Sequence, residues 1–529
     1  MPGLDRWSGT LRRPGGLAGA SGALAGACAL GWLVLAPRTP DLAAQVYRAG
    51  FFAQHGLSVW DDQWFAGHHV PGYSLIFPPL GALLGARVTG ALAAVAAAMA
   101  FGWLAAERLG RRAPPAAAWF ALGTLGELLI GRLTFVLGTA IGLAALIALS
   151  RGRRAAAGIL AVVCSLTSPV AGLFLLMAAG AVALAGPSRA RRGALITGAG
   201  ALGATVALSI TFPEGGAEPF SPVAAMLVIA IAVGVAVAVE PGRTVLRAGA
   251  GLYALGTLAA LTIPSPMGSN ATRPAALLAG PLLVGAGRLR RGWLLAGLAL
   301  PLAVYEVWGP IREVGKADAS THAGYYAPVL RFLAAQPAQP VRIEVPFTRA
   351  HWETALLARS VALARGWEGQ LDVRYDGLFH DGALRPDAYR RWLDGLGVRW
   401  VALPDVALAP AGRDEARLIR AGAPWLALAQ RTAHWSIYAV LGAPGLLAGP
   451  GRLTSLGATG FAVDAAAAGT LDVRVRFTPY WALVAGRGCV GPGPSGFTRV
   501  HVTGPGPVRV AARFALGRIG ATTPRCRSR

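Results

Sequence analysis

The stretch Leu133-Thr-Phe-Val-Leu-Gly-Thr-Ala-Ile-Gly-Leu-Ala-Ala-Leu-Ile-Ala-Leu-Ser150, followed at once by Arg151-Gly-Arg-Arg154, decides the fold class. Eighteen residues without a charge reach about 27 Å as a helix at about 1.5 Å per residue, close to the ~30 Å hydrocarbon thickness of a bilayer. A guanidinium is costly in hydrocarbon, so arginines collect where the chain leaves it, and short basic loops stay on the cytoplasmic side. The same pattern recurs on either side. Clusters at Arg12/Arg13, Arg108/Arg111/Arg112, Arg189/Arg191/Arg192, Arg243/Arg247 and Arg288/Arg290/Arg291 punctuate long apolar stretches.

Composition agrees. The chain is 54% hydrophobic and 14% charged, with a mean hydropathy of +0.51, which excludes an ordinary soluble protein. A formal charge of +24 would ordinarily point to nucleic acid. Here the arginines of the first half sit at the ends of apolar segments, so they read as topology signals and anionic-lipid contacts.

Working outward, residues 17–36 form a first crossing, read as an uncleaved anchor with the amino terminus inside. Residues 72–106 exceed one crossing, so their beginning, Tyr73 to Pro79, is expected to lie in the interface or re-enter. Residues 114–150 make a hairpin, and residues 155–186 make a second, short one turning at Ser168-Pro169. Were this second hairpin a single crossing, every later arginine cluster would face outside. Further crossings follow at 194–212, 223–239, 245–263, 274–287 and 293–308. The expectation is an α-helical polytopic membrane protein over residues 1–310, with about eleven transmembrane helices, the amino terminus in, the carboxyl terminus out, and an outer loop at 37–71. All eight histidines then fall on the outer side.

Beyond residue 310 the composition becomes that of a soluble, extracytoplasmic region. Residues 311–445 read as α/β, with strands at 341–345 and 398–403 and helical spacing at 387–393 and 413–421. Residues 446–529 read as a small β-sandwich, with strands at 470–477, 498–502 and 508–514 separated by glycine and proline. Cys28 and Cys164 lie in spans, whereas an oxidising compartment would let Cys489 and Cys526 pair.

The outer loop carries the chemistry. Pro40-Asp-Leu-Ala-Ala-Gln-Val-Tyr-Arg-Ala-Gly-Phe-Phe-Ala-Gln-His-Gly56 reads as an amphipathic helix, followed by Trp60-Asp-Asp-Gln-Trp-Phe-Ala-Gly-His-His-Val-Pro-Gly-Tyr-Ser74. An acid soon after the first span, a helix along the outer surface and a soluble domain after the last span resemble the membrane-embedded GT-C glycosyltransferases, which use polyprenyl-phosphate sugars. The resemblance implies transfer of a sugar from that carrier to a cell-envelope glycan or lipid acceptor, with Asp41 as the general base. The bland reading of Asp41 is a helix cap. Many of the family's enzymes carry a second acid near the first, and here Asp61 and Asp62 stand twenty residues further on.

A lipid-phosphate donor needs cations where the phosphate emerges. Arg132 and Arg273 break the inside-only pattern and are the candidates for phosphate contact, with Arg48 third; snorkelling to headgroups is the alternative for each. Gln45, His68, His69 and Tyr73 are candidates for substrate contact. His68 and His69 with Asp61 or Asp62 are residue types that hold a divalent cation, but adjacent side chains in an extended segment point opposite ways, so no metal site is assigned. Trp352, Trp367, Tyr375, Trp392, Tyr480 and Trp481 suit either sugar stacking or a core. No Walker loop, GxSxG elbow or zincin helix is present, against an ATP-driven pump or secreted-type hydrolase.

The implied setting is a bacterial plasma membrane. Two other classes fit the architecture: a permease or lipid flippase, which predicts paired ionisable groups in the membrane and internal repeats, and a non-catalytic envelope scaffold.

Overall fold

The computed structural model describes residues 13–288 and 292–527. Arg12, Arg290 and Arg291 of the terminal clusters lie outside the described residues. In chain order the first helices are α1 (Pro14–Leu35), α2 (Pro40–His55), α3 (Phe77–Leu84), α4 (Ala86–Arg108), α5 (Ala113–Ile130) and α6 (Leu133–Ser150). Then come α7 (Arg154–Thr167), α8 (Pro169–Ala185), α9 (Ser188–Thr211), α10 (Pro222–Ala238), α11 (Thr244–Thr262), α12 (Arg273–Ala286) and α13 (Gly292–Val314).

Among the described residues six helices are long and apolar enough to cross a membrane: Pro14–Leu35, Ala86–Arg108, Gly110–Ile130, Leu133–Ser150, Ser188–Thr211 and Thr244–Thr262. They mark a membrane-embedded protein. Helices α7, α8 and α10 are apolar but shorter, and α7 with α8 occupies the short hairpin at 155–186. Its turn is built by local chemistry. The Ser168 side chain accepts the Ala171 N–H at 3.3 Å, and Pro169 opens α8 where a missing N–H costs nothing. Helix α3 accounts for the excess apolar length before α4.

Helices in lipid associate through close approach of small residues. At the crossing of α1 and α4, a Cβ on Gly102 would collide with Ser21 and with the Leu17 carbonyl. Deeper in the bundle Phe101 stacks on Phe120 with ring centroids 4.2 Å apart.

The chain divides into two compact units. The strand-rich unit takes in Val46–Gly72, Ile210–Gly215 and the chain from Lys316 on; the helical unit holds the rest. Two boundaries therefore differ from those read in sequence. Helix α13 runs past residue 310 to Val314 despite Pro301 and Pro310. The outer loop expected with the membrane domain belongs, from Val46 on, to the strand-rich unit. Hydrogen bonding explains this: Asp62 N–H donates to Ala458 O (2.7 Å), Leu363 N–H to Gln63 O (2.8 Å) and Arg476 N–H to Ala66 O (2.7 Å).

The strand-rich unit begins with the hairpin β1 (Trp60–Asp61) and β2 (His68–His69). A mixed five-stranded sheet follows, built from β3 (Arg342–Glu344), β4 (Ala362–Leu363), β5 (Val398–Pro404), β6 (Leu426–Arg431) and β7 (Trp435–Val440) in the order β4-β3-β5-β7-β6. Strand β3 runs parallel to β4 and β5, and β7 is antiparallel to β5 and β6. Helices Pro386–Leu396 and Pro410–Ala421 supply Leu393, Ala416 and Ile419 to a core shared with Val398 and Val401. Inside this unit Arg365, 1% exposed, makes two 3.0 Å bonds to Asp372 and lies 3.5 Å from Glu415. Its guanidinium also sits 3.8 Å from the Phe347 ring centroid.

Two antiparallel sheets complete the unit, in the orders β12-β15-β10-β9 and β16-β13-β14-β11-β8. Their strands are β8 (Leu447–Ala448), β9 (Gly451–Gly457), β10 (Gly460–Ala465), β11 (Gly469–Arg476), β12 (Trp481–Ala485), β13 (Gly488–Pro492), β14 (Phe497–Val502), β15 (Gly506–Ala512) and β16 (Arg525–Arg527). Alternation along β11 buries Leu471, Val473 and Val475 completely. Cys489 on β13 faces Cys526 on β16 and is bonded to it.

Candidate active site

The site is built at the start of α2. Helix α1 ends at Leu35, and the exit segment is pinned by Arg87, which donates to Ala36 O (3.0 Å) and Pro37 O (2.6 Å). Pro40 then opens α2 and Asp41 falls in its first turn, where the helix dipole favours a carboxylate. The facing structure is the turn between α5 and α6. Gly131 makes it tight, with φ +96°, and its backbone lies so close to Leu42 that a Cβ would strike the Leu42 backbone.

This approach sets Asp41 against Arg132. Arg132 Nε lies 3.7 Å from Asp41 Oδ2, and Arg132 Nη1 lies 3.8 Å from Glu127 Oε1. Both separations are ion-pair distances beyond hydrogen-bond length. Arg132 Nε and Glu127 Oε2 have no hydrogen-bond partner among the described residues. The two acids differ in access: the Asp41 side chain is 36% exposed and that of Glu127 is 4% exposed. Burial works against the charge on Arg132, but Glu127 and Asp41 outweigh it and raise its pKa.

One helical turn beyond Asp41, on the same face of α2, Gln45 locks the arrangement. Its amide donates to Tyr73 Oη (2.7 Å) and accepts from Thr134 Oγ1 (2.6 Å), two residues after Arg132. Arg273, at the start of α12, hydrogen-bonds Asn270 and lies 5.1 Å over the Phe135 ring. It stands within electrostatic reach of Arg132, Glu127, Tyr73 and Asp41. Ser269 donates to Glu218 at 2.9 Å, and burial pushes the Glu218 carboxyl up against the offset from Ser269.

Of the residues named from sequence, Asp41, Arg132, Arg273, Gln45 and Tyr73 come together in the helical unit. Arg48, His68 and His69 do not. Arg48 lies in the strand-rich unit, paired with Glu368, both side chains buried. His68 stacks on Trp64 (5.6 Å between centroids), and burial lowers its pKa to about 4. His69 is held between Glu214, 2.6 Å from Nδ1, and Thr478, 3.0 Å from Nε2. The two imidazoles thus have separate partners, and among the described residues no group of three or more His, Cys, Asp or Glu could hold a metal ion. Asp61 accepts the Tyr47 hydroxyl at 2.8 Å, and Asp62 accepts the Trp60 indole N–H at 2.6 Å. Trp352, Tyr480 and Trp481 are buried, Trp367 stacks on His351 at 3.5 Å, and Tyr375 lies under the Arg476 guanidinium at 3.6 Å.

Glu127, Thr134, Glu218 and Asn270 were not assigned from sequence. The signal for Glu127 was present, since it is the acid within an otherwise uncharged stretch from Pro114 to Ile130.

No protein-family model matches the chain, and no curated protein matches it.

Proposed function

We propose that the chain is a membrane glycosyltransferase that moves a sugar from a polyprenyl-phosphate donor to a cell-envelope acceptor, with Asp41 as general base. The observation that carries this reading is the Asp41–Arg132 pair, an accessible carboxylate beside an incompletely bonded guanidinium. In the proposed step the acceptor hydroxyl gives its proton to Asp41 as its oxygen attacks the anomeric carbon. The bond from that carbon to the phosphate oxygen breaks, the configuration inverts, and polyprenyl phosphate leaves. Arg132 and Arg273 face the charge that grows on the departing phosphate. Glu127 holds Arg132 in place from the buried side.

The topology that goes with this chemistry is eleven crossings in a bacterial plasma membrane, with the amino terminus inside and the strand-rich unit outside. A helix lies on each of the eleven expected crossings, and with that count the basic clusters fall on one side, as the positive-inside rule favours. A scaffold would use the Asp41–Arg132 pair only to seat α2. Asp41→Asn separates the two: transfer from a polyprenyl-phosphate sugar falls by about 10²–10⁴-fold with the melting temperature little changed. Undiminished transfer would remove Asp41 from the chemistry.

A further inference from the structure

After β15 the chain reads Arg513-Phe-Ala-Leu-Gly-Arg518 and leaves two large apolar side chains in the open, Phe514 at 47% and Leu516 at 76% exposure. The loop is firmly held. Arg518 donates from Nε to Pro479 O (3.1 Å) and from Nη2 to Thr523 O (2.6 Å), and the Arg513 N–H donates to Tyr480 O (2.8 Å). Leu516 is therefore presented outward by a braced turn.

The aromatic neighbours give the loop its level. Phe514 meets the rings of Tyr480 (5.3 Å) and Phe212 (6.0 Å), and the Tyr480 hydroxyl donates to Thr211 O (2.6 Å). Thr211 is the last residue of α9, one of the helices able to cross a membrane, and Phe212 follows it directly. Phe212, Tyr480 and Phe514 thus cluster where a span ends, the depth at which aromatic rings gather in membrane proteins. The loop and the neighbouring β16 carry basic charges alone. Arg513 is exposed, and Arg525, whose Nη1 donates to Arg513 O (3.4 Å), precedes Arg527 on β16. From residue 446 onward the sequence holds eleven arginines against two aspartates.

We propose that this loop docks on the bilayer surface, with Leu516 and Phe514 in the headgroup–acyl boundary and Arg513, Arg525 and Arg527 against anionic headgroups. The docking rests on α9 crossing the membrane and is independent of sugar transfer. It would tether the strand-rich unit to lipid at a second place besides its covalent connections.

The test places an environment-sensitive fluorophore on Leu516→Cys in a Cys28→Ala background, labelled without reductant so that the Cys489–Cys526 bond stays closed. The full chain is studied in nanodiscs of phosphatidylglycerol or phosphatidylcholine that contain a lipid with a nitroxide near its headgroup. The expected result is blue-shifted emission strongly quenched by the nitroxide in phosphatidylglycerol. Arg513→Glu with Arg525→Glu should weaken that quenching there and have a smaller effect in phosphatidylcholine. Water-like emission without quenching in either lipid overturns the proposal, as does blue-shifted emission that the nitroxide does not touch, which would mean a protein partner covers the loop. Photo-crosslinking of the unlabelled wild type by a diazirine lipid gives a second reading: adducts on residues 513–518 support docking, and their absence contradicts it.

Discussion

Arg132 is the residue on which the proposed site turns, because it stands between an accessible acid and a buried one. A lysine there keeps the charge and loses the fork that spans two phosphate oxygens. Arg132→Lys should therefore raise KM for the lipid donor by roughly tenfold, about 1.4 kcal/mol, and leave KM for the acceptor nearly unchanged. Steady-state kinetics with each substrate varied in turn checks this. A second residue-scale consequence concerns pH. Burial pushes the Glu353 carboxyl up to about 7, partly offset by its bonds from Thr348, so the folded chain holds a proton there that the unfolded chain releases near its ordinary carboxyl pKa. Stability from this group is present below about 4.3 and is lost as pH rises toward 7, at up to about 1.4 kcal/mol per pH unit. Unfolding midpoints measured from pH 5 to 7 should fall in the wild type and fall less in Glu353→Gln. At this scale the sequence was partly readable. Arg132 and Arg273 stood out because they broke a charge pattern, but the partners that claim His69 and Arg48, Glu214 and Glu368, lie 145 and 320 residues away along the chain. No local pattern carries such a separation.

At the scale of elements, the approach of α2 to the α5–α6 turn sets the distance between Asp41 and Arg132. Gly131→Ala should push that turn away from Leu42. Because misplacement by about 1 Å can cost on the order of 10²-fold in rate, transfer should drop by at least tenfold, and hydrogen exchange at the start of α2 should rise. The β13–β16 bond closes a loop with a sequence separation of 37, so Cys489→Ala with Cys526→Ala should cost about 3–4 kcal/mol. Denaturation of the strand-rich region, followed with and without reductant, measures it. Elements were the best-read level of this chain. Helices lie on all the apolar stretches, and strands β5, β11, β14 and β15 fall where alternation put them, because period and polarity are local properties. The fate of residues 46–72 was not readable, since their place in the strand-rich unit depends on backbone bonds to Leu363, Ala458 and Arg476.

For the whole molecule, six helices meet the length and apolarity of a crossing, and the five others, α7, α8, α10, α12 and α13, decide whether the count reaches eleven. Cysteines placed singly at Arg153 and Arg191 should react with an impermeant maleimide only after the cytoplasmic face is opened, while one at Ala467 should react from outside. The central claim is a single inverting displacement of a sugar from a lipid phosphate. Its most direct test is the stereochemistry of the product, read by NMR from the anomeric coupling after the wild-type chain in nanodiscs has acted on polyprenyl-phosphate sugars and envelope glycan acceptors. The account predicts a glycoside of inverted anomeric configuration with one polyprenyl phosphate released per sugar transferred. A product that retains the donor's configuration, or donors left intact by a folded and membrane-inserted chain, would contradict it.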